Sequence, residues 1–317
     1  MIFEISKIIS LIFILFIIIL IIVYYNLNSL YHIHNIKKID TDFEYHNYQK
    51  HLITKKIVDK AGCLLTINDA YFINGIIRKF KPKKCLEVGV ARGGSSVIIL
   101  NAIKDIKDSI LVSLDLNTKL FIDNTKETGY TVKEYFPKLA KNWKLHTGDL
   151  PHKFLEKLNM KFDFLFLDTA HYTPGELINI IEILPFLNEG ALVVLHDIIW
   201  HLDGTDNFKE VKFTPTQIYL MSSLYGQKIY INNKKSGFEN IGCVKLYPNQ
   251  EEHYKDYFLL LMSFWEEMPT ETQINDLRIF IKKYYVKDVY LNIFNAAVEK
   301  NRKYIDKFKN KLNDCIK

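Results

Sequence analysis

Three side chains in the middle of the chain stand at spacings that could hold a cation and move a proton. Asp168 closes an apolar run in Leu167-Asp168-Thr169-Ala170-His171, and Asp197 closes the next one in Leu195-His196-Asp197. If the two runs are adjacent strands, spaced roughly 4.8 Å apart, both carboxylates converge at one sheet edge. Hard oxygen donors placed that way suit Mg²⁺ or another divalent cation, which would acidify a bound hydroxyl. His171, three residues past Asp168, has a side chain whose ordinary pKa suits it to taking the hydroxyl proton. The bland alternatives are strand-end carboxylates that cap loops and a hydrogen-bonded loop histidine.

A second group lies upstream, in Glu87-Val-Gly89-Val-Ala91-Arg-Gly93-Gly94-Ser95-Ser96. This reads as a strand running through a glycine-rich turn into a helix. In a doubly wound sheet that turn borders the cofactor crevice, and glycine lets the backbone approach a ligand or adopt positive φ. Asp115 ends the following strand and could accept from two ribose hydroxyls. A dinucleotide site calls for G-x-G-x-x-G, but Ala91 occupies the middle glycine position, where a pyrophosphate needs close backbone approach. No Walker A lysine follows.

These residues need a scaffold that brings strand ends together. Strands are expected over Cys85–Gly89, Ile110–Asp115, Trp143–His146, Phe162–Asp168 and Ala191–His196. Helices are expected over Thr66–Phe80, Gly94–Ile103, Val132–Leu139 and His152–Leu158, with a further one from Pro174 to about Leu187. The runs at Phe162–Asp168 and Ala191–His196 are apolar on both faces, as in buried parallel strands. Such alternation implies a parallel sheet covered by helices. A helix near Thr216–Leu224 precedes strands at Lys228–Ile231 and Ile241–Leu246. The short turn between those two strands requires antiparallel pairing. From about residue 251 the chain reads as helical, with a break at Pro269 and no evident chemistry.

The chain has 317 residues, 48% hydrophobic and 25% charged, enough to bury a large core. The net charge of +6 is spread along the chain, so no nucleic-acid partner is expected. Cys63, Cys85, Cys243 and Cys315 form no C-x-x-C pair, which argues against zinc or a disulfide framework. Cys85 and Cys243 are expected as small core residues. Residues Ile8 to Tyr25 are uncharged and rich in Ile, Leu and Phe, and as a helix would rise about 27 Å. They predict a single membrane-spanning anchor. Lys37 and Lys38 behind the span, against Lys7 before it, place the bulk of the chain in the cytoplasm. The expected division is an anchor over 1–26, a linker over 27–65, a catalytic domain over 66–250 and a helical extension over 251–317.

Residues 66 to 247 resemble class I S-adenosylmethionine-dependent methyltransferases. Glu87-x-Gly89-x-Ala91-x-Gly93 looks like their first motif, Asp115 matches their ribose-binding acid, and His146-Thr147-Gly148-Asp149 looks like the segment whose acid contacts the adenine amine. The resemblance implies a Rossmann-like, doubly wound seven-stranded sheet with one antiparallel strand. It also implies S-adenosylmethionine as cofactor, held by Glu87, Gly89, Gly93, Asp115 and Asp149. Asp168-x-x-His171 followed by Asp197 is similar to metal-dependent sugar O-methyltransferases and to cephalosporin-hydroxylase-like proteins. That likeness implies Asp168 and Asp197 as metal ligands, His171 as general base, and a small-molecule or glycan acceptor such as an envelope saccharide. In those enzymes Glu usually stands where this chain has His196, and in catechol-type relatives Asn stands where it has Ile198. Two other classes remain open at this stage: a tethered Rossmann-like scaffold without catalysis, and a nucleotide-dependent oxidoreductase, which Ala91 disfavours.

Overall fold

A computed structural model describes residues 55–62, 64–199, 216–230 and 240–316. Helix α1 (Lys55–Ala61) leads into α2 (Ile67–Phe80). Thr66 starts α2 with a capping box: its hydroxyl accepts from the Asp69 amide, and the Asp69 carboxylate accepts from the Thr66 amide. The helix ends at Lys81, in the left-handed region, directly before Pro82.

Six elements then alternate: β1 (Lys84–Val88), α3 (Gly94–Ile103), β2 (Ile110–Asp115), a small hairpin of β3 (Lys119–Leu120) and β4 (Asp123–Glu127), and α4 (Tyr130–Tyr135). They are followed by β5 (Trp143–Thr147), α5 (Pro151–Leu158), β6 (Phe162–Leu167), α6 (Gly175–Ile183) and β7 (Leu187–His196). After α7 (Thr216–Ser223) come β8 (Gly226–Tyr230) and β9 (Ile241–Leu246). The main sheet has seven strands in the order β5-β2-β1-β6-β7-β9-β8. The first five are parallel, and β9 runs antiparallel to both of its neighbours.

Strand periodicity explains how one sheet supports two cores. On β6, Phe164 and Phe166 face the layer of α2 and α3, among Phe72, Ile73, Val97 and Ile98. Leu165 and Leu167 face the other layer, with Leu177 and Ile181 of α6. Cys85 and Cys243 are buried free thiols, as their apolar surroundings predicted. The C-terminal helices α8 (Tyr254–Leu260), α9 (Glu271–Tyr284) and α10 (Asp288–Ile316) add to that second layer. Phe258, Trp265, Phe280 and Phe294 join the same apolar cluster as α6, and the Tyr285 hydroxyl donates to the Ile181 carbonyl at 2.6 Å.

Several boundaries differ from expectation. The β3–β4 hairpin was not expected, because Asp123–Glu127 is polar and mostly exposed and carries no alternating apolar signal. β7 begins at Leu187, four residues early, with Gly190 at positive φ inside it. The helix expected over Val132–Leu139 is shifted to Tyr130–Tyr135, ahead of Pro137.

The expectation of a single-pass membrane protein with a cytoplasmic catalytic domain is corrected. Among the described residues no helix is long and apolar enough to cross a membrane. Only α10 has ample length, at 29 residues, and its sequence carries Lys, Arg, Asp or Glu along most of it. Such charges are costly in a bilayer core. The segment on which the anchor was placed, 1–26, lies outside the described residues, as does most of the expected linker.

Candidate active site

Strand register builds the site. Val88 pairs with both Leu114 and Leu167, and Leu167 pairs with Leu195. The carboxyl ends of β2, β1, β6 and β7 therefore end in a row. Asp115, Gly89, Asp168 and the His196-Asp197 pair follow one another along that single edge, where ligands of open parallel sheets bind. A cavity of about 820 Å³ opens there. Gly89, Ala91, Asp115, Asp149 and Asp168 line it.

The glycine-rich turn is shaped by close contacts. Gly89 has φ 91°, and a Cβ there would lie 1.8 Å from the Asp168 carbonyl oxygen. Its lack of a side chain thus lets the cofactor turn and the acidic end of β6 touch. Gly93, at φ 93°, packs against Gly129, 3.1 Å from where its Cβ would stand. Ala91 adopts φ 46°, in the left-handed region. Asp115 fixes this turn: one carboxylate oxygen accepts from the Val90 and Ala91 amides at 2.9 and 3.1 Å, and the other from Asn117 at 2.8 Å.

Glu87 occupies a different position from the one expected for a cofactor contact. It is fully buried and does not line the cavity. Its carboxylate accepts from the hydroxyls of Ser95, Ser96 and Ser113, which ties β1 to the start of α3 and to β2. Burial pushes the carboxyl up to about 7, against the lowering effect of the three hydroxyls. Gly93 also lies off the cavity wall. Asp149 lines the cavity and is partly exposed. Burial tends to raise its carboxyl, but the Leu150 amide and Lys153 outweigh that and hold it low.

At the far end of the edge, Asp168, His171 and Asp197 meet, with ligand atoms all within 4.8 Å of one another. His171 Nε2 lies 3.0 Å from Asp197 Oδ2 and 3.7 Å from Asp168 Oδ1. Its Nδ1 faces the buried Glu176 carboxylate at 3.2 Å. Glu176 in turn accepts from Thr216 and Gln217. Burial opposes the charged imidazole, but its bonds to Asp197 and Glu176 prevail and raise His171 to about 10. In this arrangement the ring keeps its proton, whereas a general base must be free of one. Asp197, at φ 57°, is held well below the usual carboxylate range by the two histidines, despite its burial.

Several contributors were not singled out from the sequence. Asp69, on α2, reaches His196 Nε2 across 127 residues of sequence, at 3.5 Å. Glu176 and Asn240 reach His171 and Asp197 from α6 and from the start of β9. The Asn240 amide donates to Asp197 Oδ1. Met268, Thr270 and Gln273 of the C-terminal extension, expected to hold no chemistry, line the cavity together with Asp149. For Asp69 the one available clue was its place as the acid three residues after a Thr that starts a helix. His201, Asp203 and Asp206 lie outside the described residues.

The sheet order, with β9 antiparallel to its neighbours, is a Rossmann-like α/β arrangement of the kind expected of a methyltransferase domain. Residues 86–198, about a third of the chain, match the family model described as a methyltransferase domain, and the protein is an enzyme of the methyltransferase class. No curated protein matches the chain. Among solved structures it is similar to the O-methyltransferase TomG from Streptomyces achromogenes, involved in tomaymycin synthesis and solved with SAM. That match has 15% identity and a TM-score of 0.47, covering 65% of this chain and 96% of that one. An O-methyltransferase from Bacillus cereus in complex with SAH is similar at 12% identity and a TM-score of 0.46, covering 62% and 93%. The SAH-bound methyltransferase PaMTH1 of Podospora anserina has 16% identity and a TM-score of 0.45, covering 64% and 92%.

Proposed function

We propose that the protein transfers the methyl group of S-adenosylmethionine to a hydroxyl oxygen of a small molecule, a saccharide being the favoured class. The observation that carries this reading is one cavity bordered by the glycine turn, Asp115, Asp149 and Asp168. Asp115 would hold the ribose hydroxyls, and Asp149 the adenine amine. Gly89 and Gly93 shape the turn, and Glu87 acts on the cofactor through that turn. The methyl carbon would then face the Asp168 end, where an acceptor oxygen attacks it and the sulfur leaves with the bonding pair. Alignment of the two and exclusion of water would supply the acceleration.

The residues at that end fit a divalent cation. Three donor side chains converge within 4.8 Å, and two of them are carboxylates, the hard oxygen donors such an ion takes. Asp168 and Asp197 would hold the ion, Mg²⁺ or another divalent cation, which when bound supplies charge that acidifies the acceptor hydroxyl. His171, oriented by Glu176, would be the group to take the hydroxyl proton, a role that needs its ring free of one. The preference for a saccharide rests on the likeness of Asp168-x-x-His171 and Asp197 to sugar O-methyltransferases.

Calorimetric titration of S-adenosylmethionine into the full-length protein tests the reading. Binding in the micromolar range, weakened at least tenfold in Asp115→Ala, is the expected result. An absence of binding to the wild-type protein, folded by circular dichroism, would retire it.

A further inference from the structure

Beside the two aspartates of the cation centre stands another donor, whose chemistry differs from that of the carboxylates. His196 is 5% exposed. Its Nδ1 lies within ion-pair distance of Asp197 Oδ2, at 3.3 Å, and of Asp168 Oδ2, at 3.5 Å, but meets neither oxygen in hydrogen-bond geometry. A buried polar atom without a partner is uncommon and calls for a cause. On the opposite side of the ring, Nε2 faces Asp69 Oδ2 at 3.5 Å. Asp69 is itself buried and anchored by the Thr66 amide and hydroxyl at 2.8 and 2.7 Å.

This is a carboxylate–imidazole pair whose other nitrogen is aimed at two further carboxylates. A proton on Nδ1 would make these contacts an ion pair, but neither carboxylate oxygen meets the nitrogen in hydrogen-bond geometry; a cation held between the ring nitrogen and the two carboxylates would satisfy all three. A metal-ligating imidazole has this outer arrangement, since a carboxylate on the far nitrogen sets the tautomer and strengthens the donor.

We propose that His196 Nδ1 is a metal ligand beside Asp168 and Asp197, positioned by Asp69, and that the centre prefers a borderline transition-metal dication over Mg²⁺. Mg²⁺ favours oxygen donors and keeps its waters. Imidazole nitrogen favours ions such as Fe²⁺, Co²⁺, Ni²⁺ or Zn²⁺. The inference rests on the cation centre proposed above and is independent of methyl-donor binding.

The test uses full-length protein with Co²⁺, Mg²⁺ and Mn²⁺ as probes. Calorimetry is expected to show Co²⁺ bound at least a hundredfold more tightly than Mg²⁺. His196→Gln is expected to lose most of that preference, and His196→Glu, an oxygen donor at the same place, to shift it toward Mg²⁺. Pulsed electron paramagnetic resonance of the Mn²⁺-loaded wild type should show ¹⁴N coupling, diminished in His196→Gln. Asp69→Asn should weaken Co²⁺ about tenfold or more. Circular dichroism establishes that each variant is folded, and a variant that fails to fold is replaced by the His196→Glu comparison. Equal ¹⁴N coupling in wild type and His196→Gln overturns the proposal, as does no discrimination between Co²⁺ and Mg²⁺, or no metal binding. S-adenosylmethionine titrated into the same samples tells this failure from that of the methyltransferase reading: donor binding without metal discrimination removes only the His196 role.

Discussion

Gly89 shows how much one residue can decide. Its φ of 91° and the 1.8 Å gap between a virtual Cβ and the Asp168 backbone oxygen leave no room for any side chain. Alanine there would force apart the cofactor turn and the end of β6, the two parts of the site that must touch. We expect Gly89→Ala to cost more than about 2 kcal/mol, the sum of backbone strain and a backbone clash. Chemical denaturation checks the stability, and titration of S-adenosylmethionine should show binding lost even in the fraction that folds. A near-neutral result would mean that the turn can move away from Asp168. The motif marked Gly89 as a ligand-facing glycine. What it faces at closest range is the protein's own backbone, and the close fit between cofactor turn and acidic end follows from that contact.

At the scale of elements, β8 carries a liability. Lys228 is 3% exposed and lies in an antiparallel strand beside β9. Its ammonium donates to the Leu224 carbonyl, and burial lowers its pKa from 10.5 to about 7. The sign follows from proton counting. Between about pH 7 and 10.5 the unfolded chain keeps the lysine proton and the folded chain does not, so stability rises with pH across that window. It falls as pH drops toward 7 and the buried amine must charge. Lys228→Met keeps the volume and removes the charge. It should stabilise the protein by about 1–4 kcal/mol at pH 7 and flatten its pH dependence between 7 and 10.5. Thermal melts across that range read both effects. A wild-type melting temperature that is level across the window would contradict the burial argument. In the sequence, Lys228 is the polar start of the run Lys228-Ile229-Tyr230-Ile231. Nothing local says that the edge strand is covered, because the covering comes from β9 and α7.

At the scale of the whole molecule, the C-terminal helices share one core with the sheet. Trp265 is fully buried, donates from Nε1 to the Leu261 carbonyl at 2.8 Å, and packs in the cluster that also holds Leu177 and Leu195. Asn301 of α10 accepts from the Trp265 amide at 2.8 Å and so links the loop to the last helix. Trp265→Ala should cost about 3–5 kcal/mol and lower the melting temperature of the entire protein in a single transition. Calorimetric scanning that showed two transitions, with only one displaced, would mean that the extension melts separately. The same segment carries Met268, Thr270 and Gln273 into the cavity, so a loss of its packing should also weaken S-adenosylmethionine binding.

Much of this architecture was legible without coordinates because it is encoded locally. Alternating apolar runs and glycine turns announced the parallel strands, and the short link between Lys228–Ile231 and Ile241–Leu246 announced the antiparallel pair. The strand-end acids Asp115, Asp168 and Asp197 could be placed at one edge because parallel strands all end on the same side. The β3–β4 hairpin could not be read, since a polar, exposed ribbon leaves no hydrophobic period. Placement in a membrane was inferred from the uncharged apolar run over 8–25 and the lysines flanking it, and the described helices give it no support. The residues that tune the site were hidden for another reason. Asp69 comes to His196 from α2, Glu176 comes to His171 across a helix start, and Asn240 comes to Asp197 from the start of the neighbouring antiparallel strand. Charge state and donor set depend on these long-range contacts, which side-chain types and spacing along the chain do not specify. The chain thus determined by itself which carboxylates end the strands. Only the tertiary structure decided that His171 sits between three carboxylates and that His196 aims Nδ1 at two of them, because electrostatic environment is a property of neighbours in space.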